Sequence, residues 1–177
     1  MSEKHIHLPL NDADIDTLQA GDKVFLSGEM LVARDAAHKR IYEAVQNGQT
    51  VPVDLKNQVI YYMGPSPARE GRVIGSAGPT TSTRMDKYTP LFLSSLGLKG
   101  MIGKGRRSPE VIESMKENHA VYLAAIGGCG ALLSKCITAS EVLCYDDLGT
   151  EAVRRITVEN FPCIVAIDCN GNNLYEK

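Results

Sequence analysis

A run of hydroxyl side chains followed by a cation stands out in the segment GPTTSTRMD, residues 78–86. Thr80 and Thr81 begin this run and, like the two hydroxyl residues after them, can donate or accept a hydrogen bond. Arg84 adds a planar guanidinium that can contact a carboxylate at two points. The segment follows a predicted strand and precedes a predicted helix, whose free N–H groups would favour an anion. An ordinary Ser/Thr-rich turn with a surface arginine explains the same pattern.

Two other segments place a cation beside a predicted strand end or helix start. In GKGRRSP, Lys104 lies between two glycines, which let the backbone approach a ligand closely. The spacing differs from that of a nucleotide-binding P-loop. In ARDAAHKR, Arg34 and His38 lie four residues apart and share one face of a predicted helix. A solvated loop lysine, and a histidine without an acid–base role, are the alternative interpretations.

Together these residues predict a site for a small dianion such as a dicarboxylate. Arg34, Arg84 and Lys104 supply the positive charge, and Thr80 and Thr81 supply hydroxyl groups. Strand ends are where α/β proteins gather their ligands. The sequence shows no carboxylate pair, Ser-His-Asp set or metal-ligand cluster to accompany them. The chain therefore contains what is needed to bind a substrate but no evident electrophile, as expected for one half of a catalytic site.

The five cysteines lie in the last third of the chain and include no CxxC pair, so a zinc ribbon is not indicated. Cys144, Cys163 and Cys169 lie in apolar, strand-like runs, which predicts reduced thiols in the core and favours a cytoplasmic location. Cys129, in GGCGALL, could be a nucleophile or a cluster ligand, but no second ligand lies at a useful spacing. Close backbone packing is the favoured interpretation, and no metal site is predicted in this chain.

Length and composition predict a single domain over residues 1–177. The chain has 177 residues, of which 44% are hydrophobic, and this excludes wholesale disorder. Lys and Arg number 19 and Asp and Glu number 21, a near-balance that gives no support for a nucleic-acid or membrane-surface binder. No apolar run is long enough for a transmembrane helix, and the N-terminus is too polar for a signal peptide.

Helical and strand patterns mix along the whole chain, which predicts the α/β class. Helices are predicted in ARDAAHKRIYEAVQNGQ, in KYTPLFLSSLGLKG and in SPEVIESMKENH, where Ser108 is the expected N-cap and Pro109 lies in the first turn. Strands are predicted in Lys23–Leu26 and in QVIYYMG, RVIGSAG, GMIGKG, AVYLAAIGG, ASEVLCYDD, RRITVENF and PCIVAIDCNGN.

Five segments, in order along the chain, resemble a known family. They are ARDAAH, GPTTSTRMDKYTP, GKGRRSP, GGCGALL and VENFPCIVAIDCNGNNLY, and the match runs from about Leu8 to Tyr175. The chain resembles the β subunit, or the equivalent C-terminal domain, of the class I iron–sulfur hydro-lyases. These are the class I fumarate hydratases and the L(+)-tartrate dehydratases. The resemblance implies the swivelling β/β/α domain of the class I fumarase C-terminal type.

The resemblance also implies a cofactor and a partner. In the family, an oxygen-sensitive [4Fe-4S] cluster is held by cysteines of an α subunit, and one of its irons acts as a Lewis acid on the hydroxyl that leaves as water. The expected assembly is a hetero-oligomer with that α subunit, which would supply the electrophile missing here. The chain alone is then expected to be inactive, and its own five cysteines are not cluster ligands.

Carried over by motif, Thr80 is the expected acid–base residue, working with an acidic residue of the partner because an isolated threonine hydroxyl is a poor base. Arg34, Arg84 and Lys104 match the family's carboxylate-binding cations. Thr81 and Gly78 shape the same loop, and His38 follows the family's RDxxH pattern.

Several alternatives stay open at this stage. The loop STRMDKY, with Asp86 and Tyr88, favours fumarate and malate as the substrate pair. A β subunit of L(+)-tartrate dehydratase, which converts tartrate to oxaloacetate, is the alternative enzyme. A dicarboxylate-binding module without catalysis and a scaffold with a degraded site are the non-enzymatic alternatives. GPSPAREGR and GGCGALL are the predicted partner interface.

Overall fold

The computed structural model describes residues 3–63, 77–126 and 133–176. Its helices and strands alternate in the mixed α/β arrangement that the sequence predicts. The strands are β1 Glu3–His7, β2 Lys23–Val32, β3 Val59–Tyr61, β4 Gly100–Gly103, β5 Val121–Ala125, β6 Ile137–Cys144 and β7 Val153–Ile167. The α-helices are α1 Asp12–Thr17, α2 Asp35–Gln46, α3 Thr89–Leu96 and α4 Pro109–Asn118.

The sheet closes on itself as a small barrel. Strands β2, β3, β4 and β5 are parallel neighbours in that order. Strand β7 runs antiparallel to both β5 and β2 and so completes the ring. Strand β1 adds to β2 in parallel, and β6 adds to β7 in antiparallel fashion. The C-terminal ends of β2, β3 and β4 therefore lie side by side at one edge.

Two apolar clusters lie on the two faces of this sheet. One includes Met30, Tyr61 and Phe161 and draws on strands around the ring. The other packs the sheet against α2, α3 and α4, and it includes Ile60 and Phe92. Along β3 successive residues alternate between the clusters, as the two-residue period of a strand requires. Both faces of the ring strands are thus covered, which explains why their sequences read as nearly continuous apolar runs.

Helix ends follow the signals in the sequence. The side chain of Asn11 caps α1 by accepting a hydrogen bond from the Asp14 amide at 2.8 Å. Ser108 caps α4 in the same way, with Pro109 in the first turn as predicted. Helix α4 stops at His119, which adopts the left-handed conformation with φ of 55°. Glycine or asparagine is the usual residue at such a position.

The structure corrects two of the strand predictions. Residues Glu3–His7 form β1, which the polar N-terminal sequence did not suggest. The two strands predicted in RRITVENF and PCIVAIDCNGN are one continuous strand, β7, which ends at Ile167. Most of the predicted strand RVIGSAG, and the predicted interface segments GPSPAREGR and GGCGALL with Cys129, lie outside the described residues. No helix within the described ranges is long and apolar enough to cross a membrane.

Candidate active site

The predicted site residues follow the adjacent ends of three parallel strands. Arg34 comes two residues after β2, and Lys104 comes directly after β4. Thr80 is attached at the end of β3, because its amide donates to the Tyr62 carbonyl at 2.7 Å. The edge where these strands end is the usual place for a ligand in an α/β protein.

Backbone hydrogen bonds hold the hydroxyl segment directly alongside Lys104. The Lys104 amide donates to the Thr80 carbonyl at 3.3 Å, and the Ser82 amide donates to the Lys104 carbonyl at 2.9 Å. Thr81 and Lys104 pair as an isolated parallel bridge. Two motifs that are more than 20 residues apart in the sequence therefore form one short ladder.

Gly103 permits this close approach. A Cβ at this position would collide with the Ser82 Oγ atom and would lie 2.9 Å from Tyr62 Cδ2 and 3.2 Å from the Thr80 carbonyl oxygen. Any larger residue would push the Thr80–Ser82 segment away from β4. The glycine noted in GKGRRSP thus brings protein backbone, rather than a ligand, close to the strand.

Arg84 lies on the same segment and contacts the start of α2. It belongs to a short 3₁₀ helix, Ser82–Met85. Its Nε and Nη2 atoms both lie 2.8 Å from Oδ2 of Asp35, the first residue of α2. Asp35 adjoins Arg34 in the chain. The Arg84–Asp35 pair therefore connects the hydroxyl segment to the strand end that carries Arg34.

Arg34 occupies the N-cap position of α2, where the helix dipole opposes a positive charge. Glu151 offsets this, since its Oε2 lies 3.8 Å from Arg34 Nη2 and its Oε1 accepts the Ala36 amide at 3.2 Å. Lys104 differs from both arginines: it is exposed and makes no ion pair with any residue in the described ranges.

One part of the predicted hydroxyl site is wrong, because one of its four hydroxyl groups is not available to a ligand. The Thr80 amide, and the Ser82 amide at the start of the 3₁₀ helix, are also used within the protein. The Ser82 hydroxyl is buried and lies 2.6 Å from the Tyr122 hydroxyl, which donates its own proton to the Gly105 carbonyl at 2.8 Å. Ser82 is therefore the donor to Tyr122 and supports the fold. Thr80, Thr81 and Thr83 keep partly or fully exposed side chains.

A buried ion pair between Arg107 and Asp86, which the sequence did not indicate, supports the site. Arg107 is fully buried, and its Nε donates to Asp86 Oδ1 at 2.7 Å. Its Nη2 donates to Thr89 Oγ1 at 2.9 Å, and its guanidinium lies 5.3 and 4.8 Å from the ring centres of Tyr62 and Tyr122. Burial opposes the charged form, but the contacts with Tyr62 and Asp86 outweigh it, and the pKa of Arg107 lies above its usual value.

This pair fixes the two site segments to each other. Asp86 directly follows the 3₁₀ helix that carries Arg84, and Arg107 lies three residues after Lys104. The second oxygen of Asp86 accepts the Ser108 amide at 2.8 Å, at the start of α4. The sequence shows two adjacent arginines in GKGRRSP, but it does not show which of them is buried, because the partner of Arg107, Asp86, is 21 residues away.

His38 is a buried, neutral residue that supports the backbone at Arg34. Its Nδ1 lies 2.7 Å from the Arg34 carbonyl oxygen, which can only accept, so Nδ1 carries the proton. The ring stacks on Phe92 at 4.9 Å between centroids, and Nε2 has no partner among the described residues. Burial lowers the pKa of His38 to about 4. The geometry favours a supporting role over an acid–base role.

The described cysteines do not form a ligand set for a metal cluster. Cys144 and Cys163 are buried and free in strands β6 and β7, as predicted for core thiols. Burial raises the pKa of Cys163, so its thiolate is strongly disfavoured. Cys169 is also buried and free, and in the described ranges it is grouped only with Asp16 and His119 as a possible metal ligand.

Comparison with known proteins finds relatives that match nearly the whole chain. A family model described as the fumarase C-terminus matches residues 2–177. Fumarate hydratase 2 of Leishmania major is 43% identical over 158 residues, which are 89% of this chain but 28% of that protein. The aerobic class I fumarate hydratase of Escherichia coli K12 is 36% identical over 166 residues, or 93% of this chain and 30% of that enzyme.

A third relative has nearly the same length as this chain. The putative L(+)-tartrate dehydratase subunit beta of Methanocaldococcus jannaschii is 38% identical over 173 residues, which are 95% of this chain and 89% of that protein. The chain thus spans under a third of the two fumarate hydratases but most of the tartrate dehydratase subunit. The family match over residues 2–177 leads to one conclusion: the chain belongs to the fumarase C-terminus family of hydro-lyase domains.

Proposed function

We propose that this chain is the substrate-binding β subunit of a [4Fe-4S]-dependent hydro-lyase that reversibly hydrates a small dicarboxylate, with fumarate and malate as the favoured pair. The observation that carries the proposal is the ladder between Thr80–Ser82 and Lys104, which aligns a hydroxyl segment with a cation at the strand edge. Arg34 and Arg84 lie at the same edge, because Arg84 pairs with Asp35, the residue next to Arg34. The names of the class I fumarate hydratase relatives support this reaction.

The cations of this chain would bind the two carboxylates. Lys104, which has no ion pair within the described ranges, offers a free ammonium for one of them. Arg84 uses Nε and Nη2 on Asp35, so its Nη1 edge stays available, and the side chain is 54% exposed. Arg34 can turn from Glu151 to the substrate at little cost, because the 3.8 Å separation between them is too long for a strong hydrogen bond.

Thr80 would move the proton. In the dehydration direction a C–H proton leaves beside one carboxylate, and the hydroxyl leaves from the neighbouring carbon as water. Thr80 is partly exposed, and its backbone is fixed on both sides by hydrogen bonds to Tyr62 and Lys104. Its hydroxyl can accept the substrate proton only as it passes its own proton to a stronger base. We assign that base to an acidic residue of the partner.

The cluster belongs to the partner in this proposal. The described cysteines provide no ligand set for it. When bound in the α subunit, the cluster supplies Lewis-acid polarisation of the leaving hydroxyl. We expect the chain to act as a swivelling β/β/α domain that closes its strand edge over the partner, in a cytoplasmic hetero-oligomer.

L(+)-tartrate is the second candidate substrate. The tartrate dehydratase relative is itself named a beta subunit, and this chain covers 89% of it, whereas the fumarate hydratases are more than three times longer than the matched region. An assay with both substrates decides between the two candidates.

The deciding experiment mixes this chain with its α subunit without oxygen and follows dehydration of malate and of L-tartrate. Turnover that needs both chains is expected for one substrate, and Thr80→Ala should lower kcat by about 10²- to 10⁴-fold, the usual contribution of an acid–base group. Thr80→Ser keeps the hydroxyl and should retain most of the activity. No turnover of either substrate, with the α-subunit cluster shown intact by its spectrum, would overturn both named activities.

The non-catalytic alternative is tested in parallel by calorimetric titration of the chain with malate and L-tartrate in the absence of a partner. A dicarboxylate-binding module would bind one of them at micromolar concentration and would give no turnover with the α subunit. A hydro-lyase subunit should bind weakly on its own, because Asp35 and Glu151 already face two of its three cations.

A further inference from the structure

A group of metal-ligating side chains lies where α1, the end of α4 and the end of β7 meet. Asp16 is on α1, His119 ends α4, and Cys169 comes two residues after β7. One ligand atom from each lies within 4.8 Å of the others. These residues come from three separate parts of the chain, so their spacing in the sequence gives no sign of the group.

The donor atoms suit one class of metal. Thiolate, imidazole and carboxylate are together the ligands of Zn²⁺, which binds sulfur at about 2.3 Å and nitrogen or oxygen at about 2.0–2.2 Å. Asp16 has an exposed side chain and can adjust by rotation, whereas Cys169 is 9% exposed and fixed. Three protein ligands leave the fourth tetrahedral position for water.

The imidazole of His119 lies between two carboxylates. Its Nδ1 lies 3.1 Å from Asp12 Oδ1, and its Nε2 lies 2.7 Å from Asp16 Oδ1, a direct contact that a metal would replace as the exposed Asp16 side chain turns. Metal-bound histidines commonly donate their second ring nitrogen to a carboxylate in this way, which fixes the ring and raises its basicity. Asp12 thus has the position of the orienting carboxylate, and the metal would lie on the Nε2 side.

The backbone holds the other ligands in place. His119 keeps a left-handed conformation where glycine would be unstrained, and such strain tends to persist where function requires the side chain. The turn that carries Cys169 is built around buried Asp168, whose carboxylate accepts the amides of Ala20, Asn170 and Asn172. Cys169 is therefore presented from a rigid loop.

The charges of the group also match a divalent cation. Two aspartates are negative, Cys169 adds a third negative charge when it binds a metal as its thiolate, and the Lys99 ammonium, 3.8 Å from Asp12, offsets one of these charges. A bound Zn²⁺ would neutralise the remaining charge.

We propose that Asp16, His119 and Cys169 form a Zn²⁺ site, with Asp12 orienting His119 through its second ring nitrogen. The proposal departs from the sequence analysis, which predicted Cys169 only as a core thiol and no metal in this chain. It is independent of the proposed hydro-lyase activity, because it uses no residue assigned to the substrate.

The test measures Zn²⁺ binding to the full-length chain after treatment with a chelator, by competition with a chromophoric chelator. Co²⁺ serves as a spectroscopic substitute, because a thiolate ligand gives a charge-transfer band. We expect one Zn²⁺ per chain and a thiolate-to-cobalt band. Cys169→Ser should abolish the band, and Asp16→Asn and His119→Asn should weaken binding more than Asp12→Asn, for which about a 10- to 100-fold loss is expected.

Two substitutions serve as matched controls. Cys144→Ser removes a thiol of equal burial, and His5→Asn removes an exposed histidine, and both should leave Zn²⁺ affinity unchanged. Asparagine is chosen at position 119 because it tolerates the left-handed conformation, and circular dichroism checks that each variant is folded. Failure of the wild-type chain to compete for Zn²⁺ would overturn the proposal. The proposal would also be overturned if His119→Asn and Cys169→Ser both bound Zn²⁺ as tightly as the wild type, because the metal would then be held by other residues.

Discussion

Replacing Asp86 by asparagine tests whether the buried pair under the site holds the two site segments together. The substitution keeps the size of the side chain and one carbonyl acceptor but removes the charge that faces Arg107. Arg107 cannot reach water, since its side chain has no exposed surface, whereas Asp86 is 13% exposed. The variant therefore leaves a buried guanidinium without its counter-ion.

The size of the effect follows from this geometry. Removing one partner of a buried ion pair costs about 3–5 kcal/mol, and the lower value applies here because asparagine still accepts from one of the two donors. For a chain of 177 residues, a loss of about 3 kcal/mol lowers Tm by about 6–12 °C. Contacts of Arg107 with Thr89 and two tyrosine rings remain, so the fold itself should survive.

Thermal unfolding followed by circular dichroism measures this loss, and Asp147→Asn is the matched control. Asp147 also forms an aspartate–arginine ion pair, with two hydrogen bonds of 2.8 Å to Arg40, but this pair is exposed. An exposed pair contributes little to stability, and Asp147→Asn should leave Tm close to that of the wild type. If Asp86→Asn lowered Tm no more than Asp147→Asn does, the buried pair would not hold the two site segments together.

Two further predictions concern the strand edge and its histidine. Gly103→Ala should displace the Thr80–Ser82 segment, because the added Cβ would collide with it. Steady-state kinetics of the assembled enzyme should show kcat/KM lowered at least about tenfold, the scale expected when a reacting group is misplaced by an ångström or less. The pKa of His38 is about 4 in the folded chain, against an ordinary value of 6.5 for an exposed histidine, so the unfolded chain binds the extra proton between these values. Stability should fall by about 3 kcal/mol as the pH drops from 6.5 to 4, and Tm measured against pH should lose that dependence in His38→Phe.

Each of these predictions has a clear contrary result. Wild-type kcat/KM in Gly103→Ala would mean that the hydroxyl segment tolerates displacement from Lys104. An unchanged pH dependence of Tm in His38→Phe would assign the acid sensitivity to other groups. His5→Phe is the control for the second experiment, because that histidine is exposed.

Much of the site could be predicted from the sequence because its signals are local. Glycines beside Lys104, the hydroxyl run before Arg84 and the Ser108–Pro109 helix start are each visible within a few residues. The structure brings these segments to one strand edge, as the parallel strand order requires. The roles of the site residues stay predictions until the assays above are made.

The features that were missed depend on partners far apart in the chain. Arg107, rather than its neighbour Arg106, is buried because Asp86 and Thr89 bind its guanidinium. Nothing within the RRSP segment indicates this difference. The hydroxyl of Ser82 looked equivalent to those of the threonines, yet Tyr122, 40 residues away, binds it. Strand β7 looked like two strands because Pro162 and the polar pair before Phe161 resemble a turn.

The charge pattern at the strand edge has a consequence for how the chain would work. Two of the three cations predicted to bind substrate face a carboxylate of the same chain: Arg84 faces Asp35, and Arg34 faces Glu151. These contacts hold the arginines in place in the absence of a ligand, but a dicarboxylate must then compete for both. Ion pairs at a partly exposed edge are individually weak, so a substrate that also contacts the α subunit can displace them. The arrangement favours binding between two chains over binding to this chain alone, and this is the property that separates a hydro-lyase subunit from a free dicarboxylate-binding module.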